Sequence, residues 1–491
     1  MVKLRVRQQK SFLRGGIFVE AHKAESTQEP CTFTDTPKEL IFPIHFSGGG
    51  PGKILIKIGQ AVAQGTPIIE CKSGILHAAS RAGHITSIEP RRVVHNSQAL
   101  SPCIVLKTDG SNRQENDLTP ISLPLDISEI KERARAAGIL GLGGAGFPSH
   151  KKWEEKVHTL IINGAECEPY LTADDTVMQI DTHSMIQGAC VLASALNVKT
   201  IVIGIEDNKP AALHQIKKTI LASQADHSFE IVVIETKYPS GGERQLVWLT
   251  LGVELPSGLR PVDLGILVHN PGTLAALARA LDGKPTTDRI ITITGEYIGR
   301  PRNVIAPIGT PIRHLLTSAE AKFDCITDIT VGGPMMGFNS TALDAGITKM
   351  SNCLLANSIK KYSIDPCIRC GYCAVACPVQ LQPQQLYLAL SNDNLERAQH
   401  EGLDDCIECA ACNNVCPSHI PLAEWFRLGR FQNREATRNK QVAASARIRF
   451  EARTMRLDRL AQEDASKRVA RREQTTDALV KARKLREKNT P

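Results

Sequence analysis

Apolar and polar positions change their period several times along the chain, and the changes divide it. Residues 1–125 carry short runs rich in β-branched residues, Lys53-Ile-Leu-Ile-Lys-Ile58, Thr66-Pro-Ile-Ile-Glu70 and Gly83-His-Ile-Thr-Ser-Ile88, separated by turn residues such as Ser47-Gly-Gly-Gly-Pro-Gly52. That pattern predicts a β domain. Over 126–285 the period alternates. Helices are expected at Ser128–Ala137, 183–196 and 209–222, and strands at Thr159–Ile162, 199–205 and 230–235. Such alternation predicts a parallel α/β sheet with helices on both faces. Residues 286–350 turn β-rich again from Arg289-Ile-Ile-Thr-Ile-Thr294, 351–430 carry short helices, and 431–491 read as a solvated, charged helix. In that tail Ile448, Ala452 and Met455 fall at i, i+4 and i+7.

The charge balance adds to this division. The chain's net charge is +8, yet 431–491 alone carries 17 Lys/Arg against 8 Asp/Glu, a net of +9. The basic character therefore belongs to the tail. No recognition motif supports nucleic-acid binding, and aromatics make up only 4% of the 491 residues, which argues against a base-stacking surface. The longest apolar stretch, His183–Ile205, is interrupted by Gln187, Ser194, Asn197 and Lys199, so no membrane span of roughly 20 apolar residues is expected. No secretory signal stands out, and a membrane role would be peripheral.

Fifteen cysteines change the picture further, because eight fall in two runs. The first is Cys367-x-x-Cys370-x-x-Cys373-x-x-x-Cys377-Pro378 and the second is Cys406-x-x-Cys409-x-x-Cys412-x-x-x-Cys416-Pro417. This is the bacterial ferredoxin spacing, in which three thiolates of a tight loop hold three corners of a cubane and the fourth reaches the other cluster. Two [4Fe-4S] clusters are expected, one on Cys367, Cys370, Cys373 and Cys416, the other on Cys406, Cys409, Cys412 and Cys377. Structural zinc, which favours separated Cys pairs, fits the runs poorly. The other seven cysteines read as small core residues, and a long chain in which no signal peptide stands out is expected in the reducing cytosol, where clustered cysteines mean metal more often than disulfide.

Two loops carry further candidates. Gly141-Leu-Gly143-Gly144-Ala-Gly146-Phe147-Pro148, followed by Lys151 and Lys152, could bring backbone N–H groups to a phosphate or could be a plain turn. A helix is expected before it rather than a strand, so the loop alone does not establish a Rossmann fingerprint. Asn163-Gly-Ala-Glu166-Cys-Glu168-Pro-Tyr170 follows an expected strand, where ligands sit in α/β sheets. A turn with a solvated acidic pair is the other reading.

With these motifs, Tyr238-Pro-Ser-Gly-Gly-Glu-Arg-Gln-Leu246, Thr294-Gly-Glu296, Gly309-Thr-Pro311 and Gly332-Gly-Pro-Met-Met-Gly337, the chain resembles the C subunit of the Rnf/Rsx ion-translocating electron-transport complexes over nearly its whole length. The central part is also similar to the flavin- and NADH-binding subunit of respiratory complex I. The resemblance implies a multidomain α+β fold. Its parts would be a barrel-sandwich-like domain over 1–125, an FMN/NADH-binding α/β domain over 126–285, a soluble-ligand-binding β-grasp domain over 286–350, a two-cluster ferredoxin-type domain over 351–430 and the basic tail. It implies FMN contacts from Gly141, Gly143, Gly144, Gly146, Lys152, Asn163, Glu166, Tyr238, Asn270 and Thr273, and NADH contacts from Phe147, Glu168 and Glu243. Two departures stand out. Gly242 precedes Glu243 where the complex I subunit has two adjacent glutamates, and Asn270-Pro-Gly-Thr273 replaces its Asn-x-Glu-Thr. No Asp-Lys tip appears around His77–Gly83, so no lipoyl arm is expected.

What the resemblance implies about function is a peripheral subunit on the cytoplasmic face of the bacterial inner membrane. It would pass electrons between NAD(H), FMN, two [4Fe-4S] clusters and the membrane subunits, with ferredoxin a possible distant donor or acceptor. The basic tail could also meet anionic lipid. A soluble cobalamin reductase of the same module order and a non-catalytic iron–sulfur relay are the competing readings.

Overall fold

The computed structural model describes all residues except 1–2, 47–49, 98, 112, 115–117, 119, 122–124, 154–155, 224, 359–361 and 489–491. The expected glycine turn at 47–49 therefore lies outside the described residues.

At the centre is a five-stranded parallel sheet in the order Lys3–Gln8, Ser228–Ile234, Thr200–Glu206, Thr159–Gly164, Ile266–His269. Its inner strands are apolar on both faces, as a parallel sheet buried by helices requires. Alternate residues feed different cores. Leu160, Ile162, Ile201 and Ile203 pack with the helices Thr182–Ala195, Pro210–Ala222 and Pro271–Leu281. Ile161, Val202 and Val232 pack with Leu246, Val247 and Leu249 of the helix Glu243–Leu251. Gly188 permits a close approach between helices: a Cβ there would lie 2.0 Å from the Leu274 carbonyl oxygen.

The strand order fixes where a ligand can enter. From Thr159–Gly164 the chain builds outward to one side, then returns to place Ile266–His269 on the other. That reversal opens a crevice at the C-terminal ends of these two strands. Asn163 lies at the end of the first and Asn270 follows the second.

Residues 39–108 form a small β domain of antiparallel sheets. One sheet is built from Glu39–Pro43, Leu100–Thr108, Gly83–Arg92 and Ala61–Val62, another from Lys53–Ile54, Pro67–Glu70 and Leu76–Ala78, and a two-stranded ribbon pairs His45–Phe46 with Gly50–Pro51. They enclose Leu40, Phe42, Ile69, Ile85, Ile104 and Leu106. A third, six-stranded sheet runs Phe338–Ser340, Ile329–Val331, Cys353–Leu355, Asp288–Thr294, Arg302–Pro307, Thr32–Phe33. Short helices carry the cysteine runs around a core that includes Leu386, Leu403, Ile420 and Phe426.

The structure corrects four boundaries. Lys3–Gln8 is the edge strand of the central sheet and Thr32–Phe33 joins the third sheet, so 1–125 is not one unit. Cys353–Leu355 pairs with Asp288–Thr294, which carries the third sheet past residue 350. The terminal helix starts at Leu422 rather than 431, because Leu422 and Phe426 anchor it in the cluster-bearing core. The expected strand over 53–58 stops at Ile54, and Ile58 is exposed. The terminal helix has 67 residues, a length of about 100 Å at ~1.5 Å per residue, and is solvated throughout its distal part. Among the described residues no helix is long and apolar enough to cross a membrane.

Candidate functional site

The helix Ile127–Ala136, capped by Asp126, delivers the glycine loop to the crevice. The loop closes on itself: the Gly141 N–H donates to the Phe147 carbonyl (2.8 Å) and the Gly146 N–H to the Gly141 carbonyl (3.2 Å). Buried Thr273 pins it to the neighbouring helix, its Oγ1 accepting from the Leu142 N–H at 2.9 Å. The loop's apex, Gly143 to Ala145, forms one wall of a cavity of about 550 Å³, within the usual range for a small-molecule site. Asn163, Glu166, Glu168, Tyr238 and Asn270 line it too. The opposite wall comes from the third sheet and its loops, with Gly333, Met336, Phe338 and Met350, and from Val94 and His95.

Most of the wall's polar side chains have defined partners. Asn163 Nδ2 donates to the Gly241 carbonyl (2.9 Å), and its Oδ1 accepts from the Ala165 N–H (3.2 Å). Asn270 caps the helix Pro271–Leu281 by accepting from the Gly272 N–H (2.9 Å), and its Nδ2 donates to Asp174 Oδ2 (2.7 Å). Glu166 is buried and accepts from the N–H groups of Asp174 (2.9 Å) and Asp175 (3.2 Å), at the start of the helix Ala173–Ile180. Burial raises its pKa, and Lys23 opposes the rise. Lys23 itself donates to the Glu166 and Glu168 carbonyls (2.7 and 2.9 Å) and to that of Leu171. Glu168 accepts from the Met335 and Met336 N–H groups (3.0 and 2.9 Å), tying the acidic loop to the third sheet. Burial pushes its carboxyl up to about 7. Asp174, which no sequence motif singles out, lines the cavity as well. Burial first, and the Glu166 charge second, push it to about 7.

Six expected residues stand off the cavity. Gly141, Gly146 and Thr273 shape the loop behind it, as described above. Phe147, Lys152 and Glu243 form a separate group. Lys152 Nζ pairs with Glu243 at 2.8 Å and sits 6.0 Å from the Phe147 ring centre. What the cavity's residues offer fits a flavin mononucleotide. Gly144 has φ +102°, and a Cβ there would meet nothing within 4 Å, so the backbone faces open space where a phosphate can approach.

The cysteine runs cross. Cys367, Cys370 and Cys373 share a small cavity with Cys416. Cys406, Cys409 and Cys412 share another with Cys377. Among the described residues no three His, Cys, Asp or Glu side chains converge on a point suited to a single metal ion. Four thiols spread round a cavity match a polynuclear cluster instead. Burial, then mutual repulsion, raises the Cys406 thiol to about 11 and the Cys409 thiol to about 12. Such a donor set fits a cationic iron core that compensates the thiolate charge. Backbone N–H groups of Leu381 and Glu408 donate to the Cys377 and Cys406 sulfurs at 3.3 and 3.4 Å. Of the seven scattered cysteines, Cys103 and Cys353 are buried as expected, Cys325 is exposed, and Cys167 lies on the large cavity's wall.

One residue joins the two regions. Tyr238, only 1% exposed, lines the large cavity, and its hydroxyl donates to the Cys409 carbonyl at 2.6 Å. Around it pack Ile17, Cys167, Met335, Ala376 and Ala411.

Comparison with known proteins agrees with this division. Three family patterns match: the RnfC barrel sandwich hybrid domain over residues 11–111, the Nuo51 FMN-binding domain over 134–279 and the 4Fe-4S dicluster domain over 363–420. The chain is 40% identical over 457 residues to the C subunit of the ion-translocating oxidoreductase complex of Klebsiella pneumoniae (strain 342), covering 91% of this chain and 60% of that one. It is 39% identical over 469 residues to the protein of the same name in Serratia proteamaculans (strain 568), covering 93% and 66%. The chain thus spans about 60 to 66% of the length of these relatives. An NAD+-reducing [NiFe]-hydrogenase chain in its H2-reduced state is 18% identical with a TM-score of 0.44, over 61% of this chain and 59% of that one. On its sequence and its three matched domains, the chain is similar, over 91 to 93% of its own length, to the C subunits of the ion-translocating oxidoreductase complexes.

Proposed function

We propose that this chain is a peripheral, NAD(H)-linked subunit of a membrane-bound ion-translocating oxidoreductase, binding FMN and two [4Fe-4S] clusters and exchanging electrons with the complex's other subunits. The observation that carries the reading is Tyr238, which lines the cavity and holds the Cys409 carbonyl. When bound, FMN supplies the conversion between a two-electron hydride donor and one-electron iron–sulfur acceptors.

The chain's own residues divide the work. Gly144 presents open backbone to the phosphate, Gly143 leaves room for the Asn270 side chain, and Asn163 and Asn270 fix polar groups at the crevice where the strand order reverses. Gly141, Gly146 and Thr273 hold the loop in shape. Asp174, with its carboxyl near neutrality, is placed to hold or release a proton at the cavity wall. Phe147, Lys152 and Glu243, beyond the loop, are assigned to the nicotinamide nucleotide, an exchange for Lys152 from flavin to nucleotide. The two crossed thiol sets hold the clusters, the set of Cys377, Cys406, Cys409 and Cys412 next to the flavin. The net +9 tail suits the anionic cytoplasmic face of an inner membrane, and reduced ferredoxin is a candidate redox partner of the assembled complex.

FMN binding tests the reading. Purified chain incubated with FMN and passed through gel filtration should retain about one flavin per chain, and Asn270→Ala should weaken retention. A chain that retains none at micromolar FMN leaves the non-catalytic relay.

A further inference from the structure

The two thiol sets face different surroundings. Cys377, Cys409 and Cys412 are buried, and the second run is covered by Tyr238 and its neighbours. Cys367 and Cys370 are exposed, and so is every residue from 362 to 370.

Around these two thiols stand Tyr362, Ile364, Ile368, Tyr372 and Val375, exposed by 57 to 77%. All five fall within the 14 residues 362–375 that carry Cys367 and Cys370. Tyr362 stacks on His419 with ring centres 4.2 Å apart, and the Asp365 N–H donates to the Ser418 carbonyl, which holds this strip against the segment bearing Cys416. Ile368 lines the cavity of the first thiol set. Tyr372 and Val375 lie three residues apart on the short helix Tyr372–Ala376, and so share a face. Folded chains seldom leave so many large apolar side chains together in water without a partner.

The patch is almost uncharged. Within 362–375 the charged residues are Asp365 and Arg369, which cancel. Neither an anionic lipid surface nor a polyanion finds complementary charge there, whereas an apolar protein face does. The patch is also centred on ligands of a redox centre, so its occupant has a use for closeness to Cys367 and Cys370.

We propose that this surface is the docking face for a protein electron carrier among the complex's other subunits, seated by apolar contact over the Cys367–Cys370 loop. This rests on the reading of the chain as an electron-transfer subunit. One electron crosses, lost by the donor and gained by the acceptor, and no bond is made or broken. Recognition here depends little on salt, since apolar burial rather than charge supplies it.

The test is binding. Full-length chain with both clusters reconstituted is mixed with membrane vesicles from its source strain lacking the chain's gene, and co-sedimentation is measured. A triple variant, Ile364→Ser with Tyr372→Ser and Val375→Ser, all outside the cluster cavity, should keep its iron content and cluster absorbance, yet bind at least tenfold more weakly. Unchanged binding overturns the proposal. So does equal binding of the wild type to protein-free anionic liposomes that the variant loses, which assigns the patch to lipid. A wild-type dimer that the variant dissociates, seen by sedimentation equilibrium, assigns it to a second copy and overturns the proposal too. The assay needs neither FMN nor NADH, so a chain that ignores both would refute the preceding reading without affecting this one.

Discussion

The hydroxyl of Tyr238 donates to the carbonyl of Cys409 across 171 positions of sequence, at 2.6 Å, from a ring that also walls the cavity of about 550 Å³. Removing that hydroxyl leaves a buried carbonyl without its donor, which costs roughly 1–3 kcal/mol. Tyr238→Phe should therefore lower the melting temperature. It should also slow reduction of the adjacent cluster by several-fold in stopped flow, with flavin content unchanged. Equal rates in the two proteins would remove Tyr238 from the electron path.

The crossed thiol sets make an uncrossed phenotype the wrong expectation. Cys416→Ser should damage the cluster held by Cys367, Cys370 and Cys373, although Cys416 belongs to the other run. Cys377→Ser should damage the one held by Cys406, Cys409 and Cys412. EPR of each variant, compared with Cys370→Ser and Cys409→Ser, decides this: the spectrum of Cys416→Ser should match that of Cys370→Ser.

On the proposed reading, Thr273 supports flavin binding without lining the cavity. Its Oγ1 accepts from the Leu142 N–H and so holds the glycine loop to the helix Pro271–Leu281. Thr273→Val keeps the volume and removes the acceptor, a loss of about 1 kcal/mol. FMN titration by fluorescence should show several-fold weaker binding.

The buried carboxyls set a pH dependence. Asp174 moves from 3.8 when unfolded to about 7 when folded. Between those values the native chain binds more protons than the unfolded one, so stability falls as pH rises from about 4 to 7. Asp174→Asn keeps a group that can bond Asn270 and cannot ionise. Its melting temperature should fall less steeply with pH across that window than the wild type's does.

Much of this is legible in the sequence, and the reason differs by region. The strands Thr159–Gly164 and Thr200–Glu206 announce themselves because a buried parallel strand needs an unbroken apolar run. The cysteine grouping is legible because the cluster's size dictates the spacing of three thiols and the escape of the fourth. Lys3–Gln8 is not legible. Its charged residues alternate on a sheet edge, and its partner Ser228–Ile234 lies more than 200 residues away. Asp174 escapes notice for a similar reason. What makes it part of the cavity is the Asn270 amide, 96 positions on, and the burial they share. The opposite wall, from Gly333 to Met350, belongs to another sheet, and no local pattern reports which surfaces will face each other.

Whether the chain links NADH to its clusters is decided by an anaerobic titration of the reconstituted protein with NADH, followed by visible absorbance and EPR. Bleaching of one FMN per chain together with the appearance of two reduced [4Fe-4S] signals is the expected result. Two clusters that stay oxidised at every NADH concentration, with FMN present and with dithionite still able to reduce them, would contradict it.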